Sequence, residues 1–147
     1  MNDHSEGVMI ALLPITSEWC EIKLPHMTLV YCGKTTELGP GTFDAIVKDA
    51  SALAAISRSV MLRVRGVEQM GDDTDRVNVL KLQITPELAA MRRFVEKWNK
   101  SKHEGFKPHA TIGMADKPYP VEIPRYLAFN QMCVQWGDDM VLFNLKG

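Results

Sequence analysis

Two triplets, His26-Met27-Thr28 and His109-Ala110-Thr111, carry the residue types best suited to chemistry in this chain of 147 residues. In an extended strand, residues i and i+2 project to the same face. Each triplet therefore sets an imidazole and a hydroxyl side by side. The alternate positions are apolar: Met27, Leu29 and Tyr31 behind the first pair, Ala110, Ile112 and Met114 behind the second. A neutral imidazole can accept a proton from an attacking water or hydroxyl, and an imidazolium can protonate a leaving oxygen. Threonine hydroxyls can donate to the non-bridging oxygens of a phosphate as charge develops there. Two such pairs around one phosphodiester would need no metal ion. One imidazole must be neutral while the other is protonated, so this chemistry predicts a rate maximum near neutrality.

One His-x-Thr alone is a weak signal. Here two of the four histidines fall in such triplets, each on a strand-like segment and each in a different half of the chain.

Other side chains are weighed against this pair. Tyr31 and Trp19 could stack on a base, a contact worth about 1–3 kcal/mol. Strict alternation puts Tyr31 on the face away from His26, which favours packing for it. Lys107, Lys34 and Lys23 flank the triplets and could add positive charge, although solvated loop lysine is the ordinary state. Arg92, Arg93, Lys97, Lys100 and Lys102 read as the solvent face of a helix, which could also line the approach of an anion. The stretch Gly71-Asp72-Asp73-Thr74-Asp75 lacks the spacing and closing Glu of a calcium loop and reads as a hairpin turn. His103 and Glu104 read as surface residues. No cluster has metal-ligand spacing, and no cofactor is implied.

The elements that must position the triplets follow from periodicity. A short apolar run at 8–15 and the segment 26–32 read as strands, the second stopped by Gly33. Thr42 is the expected cap of a helix to about Ser57, with Phe43, Ile46, Val47, Ala50, Leu53 and Ala54 at helical spacing. Strands at 60–70 and 77–84 follow. Thr85, Pro86 and Glu87 then start a second helix whose apolar stripe is Leu88, Met91, Val95 and Trp98. A strand at 109–114, a loop with Pro118, Pro120 and Pro124, and a hairpin of 126–136 with 140–145 complete the chain. The fold class is α+β, with two helices and about seven strands in one domain spanning 1–147.

Composition narrows the partner. With 17 Lys+Arg against 18 Asp+Glu, the net charge of −1 does not suit coating a long nucleic acid, which requires a concentrated cationic surface. Cys20, Cys32 and Cys133 are odd in number and without metal-like spacing, so they read as reduced, partly buried thiols in a cytosolic setting. The start of the chain lacks the basic region of a secretory signal, and its longest apolar run is far too short to cross a bilayer. The expectation is a cytoplasmic monomer that meets a small ligand and no membrane.

The segments Leu24-Pro25-His26-Met27-Thr28-Leu29-Val30-Tyr31-Cys32-Gly33 and Phe106-Lys107-Pro108-His109-Ala110-Thr111-Ile112-Gly113 resemble the paired signatures of the 2H phosphoesterase superfamily. That group includes 2′-5′ RNA ligase/cyclic phosphodiesterases and phage enzymes that degrade cyclic oligonucleotide immune signals. The resemblance implies a bilobal fold, with two antiparallel sheets facing a central cleft and two helices outside. It implies His26 and His109 as the acid/base pair and Thr28 and Thr111 as phosphate donors. Tyr31, Lys107 and Trp19 are the candidates for holding substrate. Many relatives carry an Arg two or three positions after the second motif, where this chain has Met114 and Ala115. The implied activity is metal-independent cleavage of a small nucleotide phosphodiester, either a 2′,3′-cyclic phosphate or a cyclic oligonucleotide messenger. The latter would suit phage evasion of host nucleotide signalling, and a phage-encoded chain would then act in the host cytoplasm. RNA end processing or 2′-5′ ligation is the alternative. A nucleotide-sequestering module is a third reading, disfavoured because binding alone needs no pair of titrating groups.

Overall fold

The computed structural model describes residues 7–15, 25–71, 76–101, 105–114 and 123–147. Trp19, Cys20, Lys23, Lys102, His103, Glu104, residues 72–75 of the expected turn and residues 115–122 of the expected loop lie outside them.

The described residues form seven strands and two α-helices: β1 (Gly7–Pro14), β2 (Met27–Lys34), α1 (Thr42–Ile56), β3 (Val60–Met70), β4 (Val77–Leu82), α2 (Pro86–Val95), β5 (His109–Met114), β6 (Tyr126–Trp136) and β7 (Asp139–Asn144). The apolar stripe of α1 buries Ile46, Ala50, Leu53 and Ala54. Its cap is Gly41, at φ 80°, and not Thr42, which is the first helical residue; the side chain of Thr42 is therefore not spent on the helix start. Thr85 does cap α2, its hydroxyl accepting from the Leu88 N–H at 3.1 Å, with Pro86 at the first position where no N–H is needed. The stripe of α2 runs on through a 3-10 turn, Glu96–Trp98.

That turn ties the helices together. The Trp98 indole donates to Asp49 Oδ2 on α1 at 2.8 Å, and Lys97 Nζ lies 2.9 Å from the same oxygen. Burial pushes the Asp49 carboxyl up, but the bonds from Lys97 and Trp98 outweigh it and hold the group below its ordinary 3.8. A folded-state value below the unfolded one gives stability that is complete above the ordinary aspartate range and lost as pH falls below it. Acid titration of the thermal midpoint below about pH 4 should therefore be steeper in wild type than in Asp49→Asn, which keeps an acceptor for Trp98 but has no proton to gain. Equal slopes would remove Asp49 from the acid response.

The strands run β1-β2-β5-β4-β3-β6-β7, and β1 also pairs with β6, so the sheet curls back on itself. All the strand pairings are antiparallel. Two halves result, β1-β2-β6-β7 and β3-β4-β5. They join where Val60–Arg63 of β3 meet Tyr126–Phe129 of β6, and at one ladder pair between β2 and β5, Met27↔Ala110. Both helices contribute to a single core with residues from every strand, so they cover the same side of the sheet. Among the described residues, the other side carries no helix. The two sheets expected across a cleft are thus the two halves of one curled sheet, with both helices outside. Among the described residues, no helix is long and apolar enough to cross a membrane.

Candidate active site

Met27 and Ala110 hold the seam because they sit in an unbroken apolar row. Reading across the sheet, Leu12, Met27, Ala110 and Leu80 are paired in sequence, and all four are fully buried on the helix side. Their chain neighbours must point the other way. Continuing the antiparallel register by one residue in each direction sets His26 opposite Thr111 and Thr28 opposite His109. The single pair Met27↔Ala110 thus brings the two His-x-Thr motifs side by side on the helix-free face as the corners of a square, with Thr28 and His109 lining one cleft. All four side chains are half-buried.

Strict alternation fails immediately after each threonine, in the same way in both motifs. On β2, Thr28 pairs with Ala11 and Val30 with Ile10, which leaves Leu29 as an extra residue. On β5, Thr111 pairs with Val79 and Gly113 with Asn78, which leaves Ile112 extra. A bulge of this kind resets which face the following residues occupy. Tyr31 pairs with Met9, which shares a face with Ala11, so Tyr31 lies on the His/Thr face. Its expected position on the core face is therefore wrong: a period of two does not survive an inserted residue. Met114, paired with Val77 beside Val79, likewise comes to the open face and is exposed. Leu29 and Ile112 stay buried in the main core and anchor both bulges.

Beyond their single pair, β2 and β5 diverge around a cleft of about 560 Å³. Thr28, Tyr31, Arg92, Phe106, Lys107 and His109 line it. His26 and Thr111 lie on the far side of the Met27↔Ala110 pair and are not among the residues that line the cleft. Arg92 rises from α2 between the diverging strands. Its guanidinium donates to the Leu29 carbonyl, and its carbon lies 5.1 Å from the centroid of the Phe106 ring. Its Nε is buried without a hydrogen-bond partner among the described residues. A helix pattern assigns this arginine to solvent, and only the bulge shows why it turns inward. Arg92 was expected on the solvent face or lining the approach of an anion, whereas Lys81 was missed altogether; it pairs directly with His109 across β4 and β5. A lone Lys between Leu80 and Leu82 was a visible signal, but its neighbour depends on long-range register. Lys107 is exposed at the cleft, Lys34 is exposed at the end of β2, and Trp19 and Lys23 lie outside the described residues.

One tautomer is settled by geometry. His109 Nδ1 lies 2.8 Å from the Lys107 carbonyl oxygen, which can only accept, so Nδ1 carries a proton. In the neutral ring Nε2 is then the unprotonated nitrogen, available to take a proton and later return it. Among the described residues no group of three or more His, Cys, Asp or Glu is placed to hold a metal ion. Cys32 and Cys133 are free thiols, pushed up by burial to about 12 and about 11, so both remain protonated near neutrality and are poor nucleophiles.

A curled antiparallel sheet whose halves each contribute a His-x-Thr strand to one seam is the architecture of a 2H phosphoesterase. The chain belongs to the 2′-5′ RNA ligase superfamily, whose family model matches residues 22–132. No curated protein sequence matches it. Among solved structures it is similar to apo LigT of E. coli, at 15% identity and a TM-score of 0.61 over 97% of this chain and 98% of that one. TT0787 of Thermus thermophilus is 13% identical with a TM-score of 0.62, covering 95% of each chain. Usb1 of Kluyveromyces marxianus is 11% identical with a TM-score of 0.65, covering 96% of this chain and 99% of that one. At these identities the likeness is one of fold. LigT itself has been solved with 3′-AMP, with ATP and with NADP+.

Proposed function

We propose that the protein is a hydrolase that cleaves a phosphodiester in a small nucleotide or short oligonucleotide by two-histidine acid/base chemistry. The observation that carries this reading is the Met27↔Ala110 pair, which brings both His-x-Thr motifs onto one face. In the proposed reaction one imidazole takes the proton of the attacking water or hydroxyl while the other, as imidazolium, protonates the leaving oxygen. Thr28 and Thr111 donate to the non-bridging oxygens. Arg92 and Lys107 supply the positive charge that Met114 does not. Tyr31 offers a ring to a base at the same cleft.

A 2′,3′-cyclic phosphate or a cyclic oligonucleotide messenger is the substrate we favour, the second being what a phage evading host nucleotide signalling would destroy. The net charge of −1 supports a small substrate over a long polymer, met by a monomer in the cytoplasm. The same square of side chains, working in reverse on RNA ends, would join them; membership of the 2′-5′ RNA ligase superfamily is what favours keeping that second reading.

The test is a panel of 2′,3′-cyclic nucleotides, cyclic dinucleotides and 2′-5′ oligomers incubated with the protein in EDTA, with products read by mass spectrometry. Turnover should persist, since the reacting groups proposed are all side chains of the chain itself. Activity that vanishes in EDTA and returns with a divalent ion would overturn the acid/base mechanism.

A further inference from the structure

The helix-free face continues past His109 across β4 and β3, and its side chains can be placed by register. Leu80 and Leu82 are buried on the helix side, so Lys81 points to the open face, directly opposite His109. Gln83 lies two residues further along that face. Its N–H donates to the Arg63 carbonyl at 3.0 Å, and its side-chain oxygen accepts from the Arg63 N–H at 3.2 Å, so Gln83 and Arg63 are opposed. Leu62 is buried and Val64 packs against the core, which turns Arg63 to the open face as well. Between Val64 and Gly66 the β3–β4 register shifts, and Arg65 is the extra residue. Arg63, Arg65, Gln83 and Ile84 line a groove of about 540 Å³.

Two features single out this groove. Among the described residues neither arginine has a carboxylate in ion-pair range, whereas Lys81 on the same face has Glu68 at 3.9 Å. The span also fits a nucleotide. From His109 to Arg63 is two strands across and two residues along, about 12 Å between backbones at 4.8 Å per strand and 3.3 Å per residue. Both side chains rise from the same face, and an arginine leaning toward His109 brings that span down to the separation of neighbouring phosphates along a nucleotide chain.

We infer that the Arg63/Arg65 groove is a second phosphate subsite, so that the substrate carries at least two phosphates, one at the His/Thr square and the next against these guanidiniums. Such a substrate is an oligonucleotide or a cyclic oligonucleotide and not a mononucleoside cyclic phosphate. This rests on the proposed reading of the square. Gln83 holds the backbone of Arg63 through both bonds, which fixes where the first guanidinium starts. Two guanidiniums on one short stretch of strand suit the two free oxygens of a phosphodiester, each donating in a planar fork.

The experiment measures binding, so that it stands apart from turnover. A nucleoside 3′-monophosphate and the same nucleoside's 3′,5′-bisphosphate are titrated calorimetrically into wild type and into the Arg63→Gln/Arg65→Gln variant. Wild type should bind the bisphosphate on the order of ten-fold more tightly, and the advantage should shrink as salt rises from about 50 to about 200 mM. The double variant should bind both ligands equally, with its affinity for the monophosphate unchanged. Both residues are exposed, so its thermal midpoint should match wild type. Equal affinities in wild type, or an advantage that survives in the variant, would overturn the subsite. If instead no phosphodiester is turned over while the binding difference holds, the catalytic reading falls and the subsite stands.

Discussion

His109→Ala should slow phosphodiester turnover on the order of 10²–10⁴-fold, and His26→Ala should do the same, with little change in thermal midpoint. Each imidazole is given one half of a proton relay, and alanine supplies neither a base nor an acid. Both side chains are half-buried on the open face, so truncation leaves no large cavity in the core. The Lys107 carbonyl that loses its bond from His109 lies beside a cleft and can turn to water. The two losses should not add: once one partner is gone the relay is broken, and the double variant should be scarcely slower than either single one. Near wild-type turnover by either single variant would end the two-histidine mechanism. Additive losses would mean that the residues act at separate steps.

The second large effect is expected from Thr28→Val, a change of nearly the same shape that removes one hydroxyl. Removing a donor aimed at developing negative charge typically costs about 10²–10³-fold in kcat. In the resting protein the Thr28 hydroxyl donates to the Met9 sulfur at 3.5 Å. A thioether is a weak acceptor, so a phosphate oxygen would readily displace it, and valine should lose little stability. Thr28→Ser keeps the donor and should recover most of the rate. A steady-state comparison of the three proteins decides the point. Should serine be as slow as valine, the contribution of Thr28 lies in its methyl group and packing, and the donor role fails.

The motifs, the α+β class and most element positions were legible because they depend on local spacing. The imidazole–hydroxyl pairs follow from period two, and the start of α2 from Thr85 and Pro86. Helix-capping propensity misled at Thr42, where a glycine in the left-handed conformation takes the cap. Tyr31 was misplaced because Leu29 is inserted with respect to its partner strand β1, a relation no local window contains. Lys81, and the inward turn of Arg92, were hidden for the same reason. Each becomes a neighbour of the square only when distant elements meet, β4 with β5 for Lys81 and α2 with β2 for Arg92. What was legible is what the chain decides over a few residues; what was not is decided by which strands meet.

The seam itself has a bearing on how the protein breathes. Only one ladder pair, Met27↔Ala110, joins β2 to β5, whereas six pairs join β6 to β7. The amides of β2 and β5 that point across this seam should therefore exchange with solvent through a local parting of the two halves, well before the whole sheet opens. A phosphate gripped from both sides would act as a second rung on that ladder. Any anion held by the square should slow exchange at those seam-facing amides while leaving the β6–β7 hairpin untouched, and at a hundred times its dissociation constant it would raise global stability by about 2.7 kcal/mol. The ligand would then be a structural member of the sheet for as long as it stayed, and its release would cost the seam its strongest crossing.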